Sequence, residues 1–316
     1  MAAAWLAAAV LAVLAPIDAA SGQAETGLPV RARIGFMSLE APAGSERRVE
    51  VLARGAETIL PQLEAELGIH PLRRFRMLLI PPDAPADSEI VALDRAAPEW
   101  AAGFYVPRLR VGAIRVAQAT RYPYGTLESV LAHETTHVLL HDALDGRLPL
   151  WFEEGVATWQ GRRWSLQDVL VYSAVLTTDL PSLAELDSSF HASEGEAELA
   201  YAASFAFVSR AVRTHGRAFL RDLLRQAGRR PFREAWAAAS GSTLEEAEAA
   251  WRRESLWRYR WIPILTASST LWLVITLFAV FAGARKRARL RRAREHWAEE
   301  ELPEPPAPDE ADPENG

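Results

Sequence analysis

The chain has 316 residues, 49% hydrophobic and 24% charged, with a formal net charge of -6, 7 His and no Cys. That composition excludes a disordered chain and a disulfide-stapled miniprotein, and the lack of Cys excludes structural disulfides, Cys-ligated zinc and thiol catalysis. The net charge is an average over unlike segments, because all but one of the 35 cations are arginines, the exception being Lys286, and a block of them adjoins an apolar run near the C-terminus.

In chain order, residues 1–24 carry no charged side chain before Asp18 and end in small residues, with Gly22 and Ala24 a plausible cleavage pair. They are expected to form a secretory signal peptide, with an uncleaved anchor as the alternative. Residues 25–120 alternate apolar and polar side chains at 30–37, 74–80 and 103–116, around a helical stretch at 48–67. An αβ region with a small sheet is expected there. Residues 121–256 read as helices at 126–141, 150–162, 195–214, 218–227 and 243–254. Strands first and helices afterwards give an α+β fold, a small N-terminal sheet followed by a mainly helical body.

Residues 262–284 then run for 23 residues without a charge. At about 1.5 Å per helical residue they would cross a hydrocarbon core of about 30 Å, so a single C-terminal transmembrane helix is expected, with Trp257, Tyr259 and Trp261 at its interface. Seven cations follow within 285–294. By the positive-inside rule the basic block and the tail, 285–316, are cytoplasmic, and everything between the signal and the span is periplasmic or extracellular. The tail from Glu295 carries nine carboxylates and five prolines, the composition of a disordered segment. Removing these segments leaves the external part with a formal charge of only -3, which argues against nucleic acid as a partner. The strong bias to Arg over Lys, with abundant Ala, suggests a GC-rich bacterial source.

The chemistry concentrates in His133-Glu134-Thr135-Thr136-His137, embedded in the apolar helix LESVLAHETTHVLL. Positions i and i+4 of a helix lie about 40° apart, so both imidazoles can face one metal ion while Glu134 reaches a water beside it. Zinc (Zn2+) held by nitrogen and oxygen needs a third protein ligand and an open position, and His141, Glu153 and Glu154 are the nearest downstream candidates. His141 lies eight residues beyond His133, about 12 Å along the axis, too far for both to reach one ion. Nor does the metzincin pattern fit, since Leu140 and Ala143 stand where its Gly and third His would be. A carboxylate from the next helix remains, brought back by a turn at Asp145-Gly146.

That next helix opens Leu148-Pro149-Leu150-Trp151-Phe152-Glu153-Glu154-Gly155-Val156-Ala157. HExxH followed by this Pro-x-Trp-x-x-Glu-Gly-x-Ala element resembles the gluzincin metallopeptidases, in particular the bacterial peptidase MA-like domains, over residues 120–255. The resemblance implies a zincin-type peptidase domain in which Glu154, the Glu directly before Gly, is the third zinc ligand, and Glu153 is solvent-facing or supports the ligands. Tyr201, in a Tyr-x-x-Ser pair with Ser204, resembles a residue placed to stabilise an oxyanion; a packed core tyrosine is the plainer reading, and His191 and His215 read as solvated or capping. The segments 232–236 and 243–251 resemble the closing helices of such domains. Zinc on His133, His137 and Glu154 would lower the pKa of its water and polarise a peptide carbonyl, with Glu134 as general base passing the proton to the leaving amine. Residues 111–117, just before the metal helix, are expected as an edge strand that pairs with an extended peptide or protein substrate. The amine-binding G-x-M-E-N element of gluzincin aminopeptidases is not matched by Gly35-Phe36-Met37-Ser38-Leu39-Glu40, which favours an endopeptidase. Two other readings compete with peptide hydrolysis, an inactive membrane-tethered scaffold with a zincin fold and a zinc hydrolase acting on esters or other amides. The intact set His133, Glu134, His137 and Glu154 weighs against the scaffold.

Overall fold

Apolar residues alternating from Val30 build two strands rather than the single one expected at 30–37. β1 (Val30–Ile34) turns at Gly35 and Phe36 into β2 (Met37–Ala41), antiparallel, with Ile34 opposite Met37. The computed structural model of the chain describes residues 30–300 apart from 72, 83–92, 96, 100, 121–123, 145–146, 162–179, 191 and 260–267. These fall into two units, 1–260 and 261–316. The signal peptide expected at 1–24 and the turn at Asp145-Gly146 lie outside the described residues.

Helix α1 (Glu46–Leu67) buries Val49, Leu52, Ala56, Leu60, Leu63 and Leu67, one stripe at intervals of three and four, and lays it on the sheet. β3 (Phe75–Ile80) adds to β2 in parallel. The single strand expected at 103–116 is two strands, β4 (Gly103–Val106) and β5 (Val111–Arg115), antiparallel about a 3-10 turn at Pro107–Leu109. Arg110 closes that turn at φ 53, a conformation disfavoured for a branched chain at Cβ and uncommon for any residue but Gly. Its guanidinium holds it there by donating to the carbonyls of Arg74 at 3.0 Å and Arg73 at 2.9 Å, and to the Asp142 carboxylate at 2.8 Å. The sheet order is β1-β2-β3-β5-β4. The edge expected at 111–117 is therefore an interior strand, and the edge beside it is β4.

The helical layer comprises α2 (Leu127–Leu144), α3 (Leu150–Gly161), α4 (Leu183–Ser189), α5 (Glu194–His215), α6 (Arg217–Ala227), α7 (Phe232–Ser240) and α8 (Leu244–Tyr259). Helix α2 is apolar around most of its circumference because it lies between two cores. Val130, Leu131 and Val138 join α1 and the sheet, while Ala132, Leu139, Leu140 and Leu144 join the helical core. In that second core Trp151 meets Phe152, Phe207 and Phe232 edge-on at 5.2–5.9 Å. The first turn of α3 is tied down from α4, where the Asp187 carboxylate accepts the Trp151 N–H at 2.7 Å.

Helix α3 packs between α2 and α5, and Gly155 sets how closely. A β-carbon there would lie 2.7 Å from the Ser204 carbonyl oxygen and 2.8 Å from Val208 Cγ2. Because the first of these is backbone, Gly155→Ala is expected to force α3 and α5 apart and cost about 1–3 kcal/mol, read as a lower urea midpoint with an unchanged slope.

The C-terminal unit contains α9 (Ser268–Glu300). Residues 295–300, expected in the disordered tail, are helical; 301–316 lie outside the described residues. Among the described residues no helix is long and apolar enough to cross a membrane. The span expected at 262–284 is thus not supported by the described helix, and its first six residues, 262–267, lie outside the described residues.

Candidate metal centre

Helix α2 carries His133 and His137 one turn apart, and their rings stand edge to face with centroids 4.8 Å apart. Helix α3, returning against α2, brings Glu154 to them. The three ligand atoms form a triangle: His133 Nε2 to His137 Nε2 3.1 Å, His133 Nε2 to Glu154 Oε2 3.3 Å, and His137 Nε2 to Glu154 Oε2 3.4 Å. Two imidazole nitrogens this close cannot both turn lone pairs inward unless a proton or a cation lies between them. A tetrahedron with zinc–ligand bonds of about 2.0–2.2 Å has edges of about 3.3–3.5 Å, so the donor set and its spacing fit a metal ion. Among the described residues these three are the one His and carboxylate group close enough to share an ion.

Electrostatics within the cluster follow from burial and proximity. Burial would pull His137 down, but the Glu154 carboxylate outweighs it and holds the imidazole up at about 9. Burial would raise Glu154, and the two histidines together hold it far below the usual carboxylate range. For Glu134 burial outweighs the pull of His137. Glu134 is 3% exposed, and burial pushes its carboxyl up to about 8. What makes room for it is Gly103, the first residue of β4: a β-carbon there would stand 2.5 Å from Glu134 Oε1 and 2.8 Å from Val130 Cγ1. The side chain of Glu134 therefore rests against the backbone of the edge strand.

Tyr201 on α5 reaches the same place. Its ring lies 6.2 Å from that of His133, and burial, followed by the nearby Glu154 carboxylate, pushes its hydroxyl well above the ordinary value. Glu153, read from sequence as solvent-facing or supporting, is not solvent-facing: burial pushes its carboxyl up to about 7 against the pull of His137. His141 stays out of the cluster, its ring 6.2 Å from that of Tyr105. His215 ends α5, packed on Phe219 at 4.9 Å, and His191 lies outside the described residues. Sequence reasoning passed over Tyr124, whose ring meets that of His133 edge-on at 5.0 Å. A tyrosine in the loop before α2 has no spacing relation to the motif, and only the return of that loop over the helix brings it there.

The chain matches the family model of the peptidase MA superfamily over residues 90–256, more than half its length and the part that holds β4, β5, helices α2 to α7 and most of α8. No curated protein matches it.

Proposed function

The chain belongs to the peptidase MA superfamily, and on that premise we propose that it is a zinc-dependent metallopeptidase of gluzincin type, an endopeptidase acting on peptide or protein substrates. The observation that carries this reading is the convergence of His133, His137 and Glu154 within hydrogen-bond distances of one another beside a buried carboxyl, Glu134. His133, His137 and Glu154 would hold the ion, and a zinc bound there supplies a positive charge that acidifies water toward a pKa of about 7 and polarises a carbonyl. Glu134 is the general base. Its raised affinity for a proton suits it to accept one at a carboxylate oxygen and release it to the departing amine, since transfer in both directions requires a pKa near the working pH. The wall formed by Gly103 and Val130 limits where that carboxyl can point. Strand β4, as the sheet edge nearest Glu134, is the surface on which an extended substrate would add its backbone. Tyr201 would donate its phenolic hydrogen to the oxygen of the polarised carbonyl.

Membrane attachment belongs to the same proposal and is supported by composition. The uncharged part of α9, 268–284, is 17 residues, about 25 Å, whereas the uncharged run of the sequence from 262 is 23 residues, about 34 Å. Within α9, Trp272, Leu273, Ile275, Leu277, Phe278, Val280 and Phe281 are all exposed, a burden that lipid would relieve. The peptidase unit would then be extracytoplasmic and the basic end of α9 cytoplasmic.

The test is elemental analysis of the purified chain together with hydrolysis of fluorescein-labelled casein. One zinc per chain and casein cleavage lost on chelation and restored by zinc are expected; a metal-free chain, or cleavage indifferent to chelation, would overturn the reading. Tyr201→Phe is expected to retain the zinc and lower kcat by about 10²–10³-fold, the cost of losing one oxyanion donor, with KM little changed.

A further inference from the structure

Arg115, the last residue of β5, is 6% exposed and stands apart from the metal centre. A guanidinium has five N–H donors, and five acceptors surround this one. Nε donates to the Asp94 carboxylate at 2.6 Å; Nη2 donates to the carbonyls of Asp94 at 2.6 Å and Ala97 at 3.3 Å; Nη1 donates to the carbonyls of Ala101 at 3.0 Å and Pro98. Four of the five are backbone oxygens of the segment 94–101, of which 96 and 100 lie outside the described residues, and those of Asp94 and Pro98 also accept the N–H groups of Ala97 and Ala101. The Arg115 side chain adds to these turns and ties all four carbonyls to the end of β5. Its own backbone N–H continues the tie, donating to Ala102 at 2.8 Å, and its guanidinium carbon lies 5.5 Å from the centre of the Phe104 ring.

The loop leads straight into β4. Successive side chains of a strand point to opposite faces, and here Phe104 turns to the Arg115 side, while its neighbour Gly103 turns to α2 and meets Glu134. The Arg115 side chain thus ties down the segment that enters β4, and the β5 ladder holds the strand itself, against which the buried carboxyl rests. A lysine could not do this, having three donors and no fixed fork.

We propose that Arg115 is a positioning residue of the reaction: it fixes the loop 94–101 and, through it, the start of β4, so that Gly103 aligns the Glu134 carboxyl and the substrate backbone. The proposal rests on the peptidase reading of Glu134. The test compares full-length wild type with Arg115→Lys, Arg115→Ala and Asp94→Asn by hydrogen exchange of backbone amides, zinc content and kinetics on fluorescein-labelled casein. Arg115→Lys is expected to speed exchange only in peptides covering 94–106, leave α2 and α3 protected and one zinc bound, and lower kcat by about 10²-fold, the cost of a misplacement near 1 Å. Asp94→Asn, which keeps the four carbonyl contacts, gives the same pattern more weakly and serves if Arg115→Ala does not fold. Unchanged exchange at 94–106 would overturn the proposal. So would exchange that spreads into α2 and α3 with loss of zinc, which marks a role in stability alone, or local exchange with full activity. Should wild type bind zinc and leave casein intact, the peptidase reading fails and catalytic positioning with it, while the exchange arm still decides whether Arg115 places the strand.

Discussion

Glu134→Gln is expected to bind one zinc per chain and to cleave fluorescein-labelled casein at least about 10³-fold more slowly than wild type. The magnitude lies within the roughly 10²–10⁴-fold that a positioned general base contributes. Glutamine has the same shape, so the contacts with Gly103 and Val130 survive, and the ligands His133, His137 and Glu154 are untouched. Stability should be nearly unaffected at neutral pH. Burial holds the Glu134 carboxyl up at about 8, so in the metal-free chain at pH 7 the group is already mostly neutral, and an amide replaces an uncharged acid. Equal urea midpoints for the two metal-free proteins, with activity separated by three orders of magnitude, are the expected pair of results. Activity within tenfold of wild type would remove Glu134 from the role of base.

The parts of this site legible in the sequence are those whose geometry is local. Four residues of helix bring His133 and His137 to one side whatever the rest of the fold does, and an apolar run on both sides of the motif announced a packed helix. The third ligand was harder. Glu153 and Glu154 are neighbours about 100° apart on a helix, and choosing between them took the resemblance around Gly155 rather than any periodicity. In the structure both side chains are half-buried, and only that of Glu154 closes the triangle. The edge strand was misplaced for a physical reason. A period of two runs through 103–116, and the turn that divides it contains no Gly or Asn to mark it; its left-handed residue is Arg110, held by the carbonyls of Arg73 and Arg74 and by Asp142, all at least 32 positions away in the sequence. The Arg115 network was invisible for the same reason, because backbone carbonyls of 94–101 carry no residue-type signal. The place of Tyr124 and the partial burial of Glu153 likewise depend on how loops and helices pack, not on spacing.

Zinc is expected to raise the thermal stability of the chain more at pH 8 than at pH 6, and Glu154→Ala is expected to abolish the gain at both. In the metal-free chain an ion pair occupies the centre. The His137 imidazole, up at about 9 from its ordinary 6.5, contributes stability that is complete below about pH 6.5 and is lost as pH rises through about 9. Glu154, held far down, contributes stability present above its ordinary 4.5 and lost only in strong acid. Glu153, up at about 7, and Glu134, up at about 8, work against folding as pH climbs from 4.5 toward those values. All three raised groups make the metal-free chain weaker at pH 8 than at pH 6. Zinc reverses the balance, because it binds the neutral imidazoles and competes with their protons. Its affinity therefore increases over the interval in which the metal-free chain weakens. At a free zinc concentration of 100 times the dissociation constant the gain is about 2.7 kcal/mol, several degrees in a calorimetric scan. Glu154→Ala leaves two imidazoles, too few for the site, and takes away the carboxylate that raises His137, so the zinc gain and the His137 share of the pH slope should go, while the share of Glu134 and Glu153, which burial raises, should remain. Glu153→Ala should keep the zinc. A chain whose zinc gain is the same at pH 6 and pH 8, or which loses its metal with Glu153 and keeps it without Glu154, would show that the ligand set is not His133, His137 and Glu154.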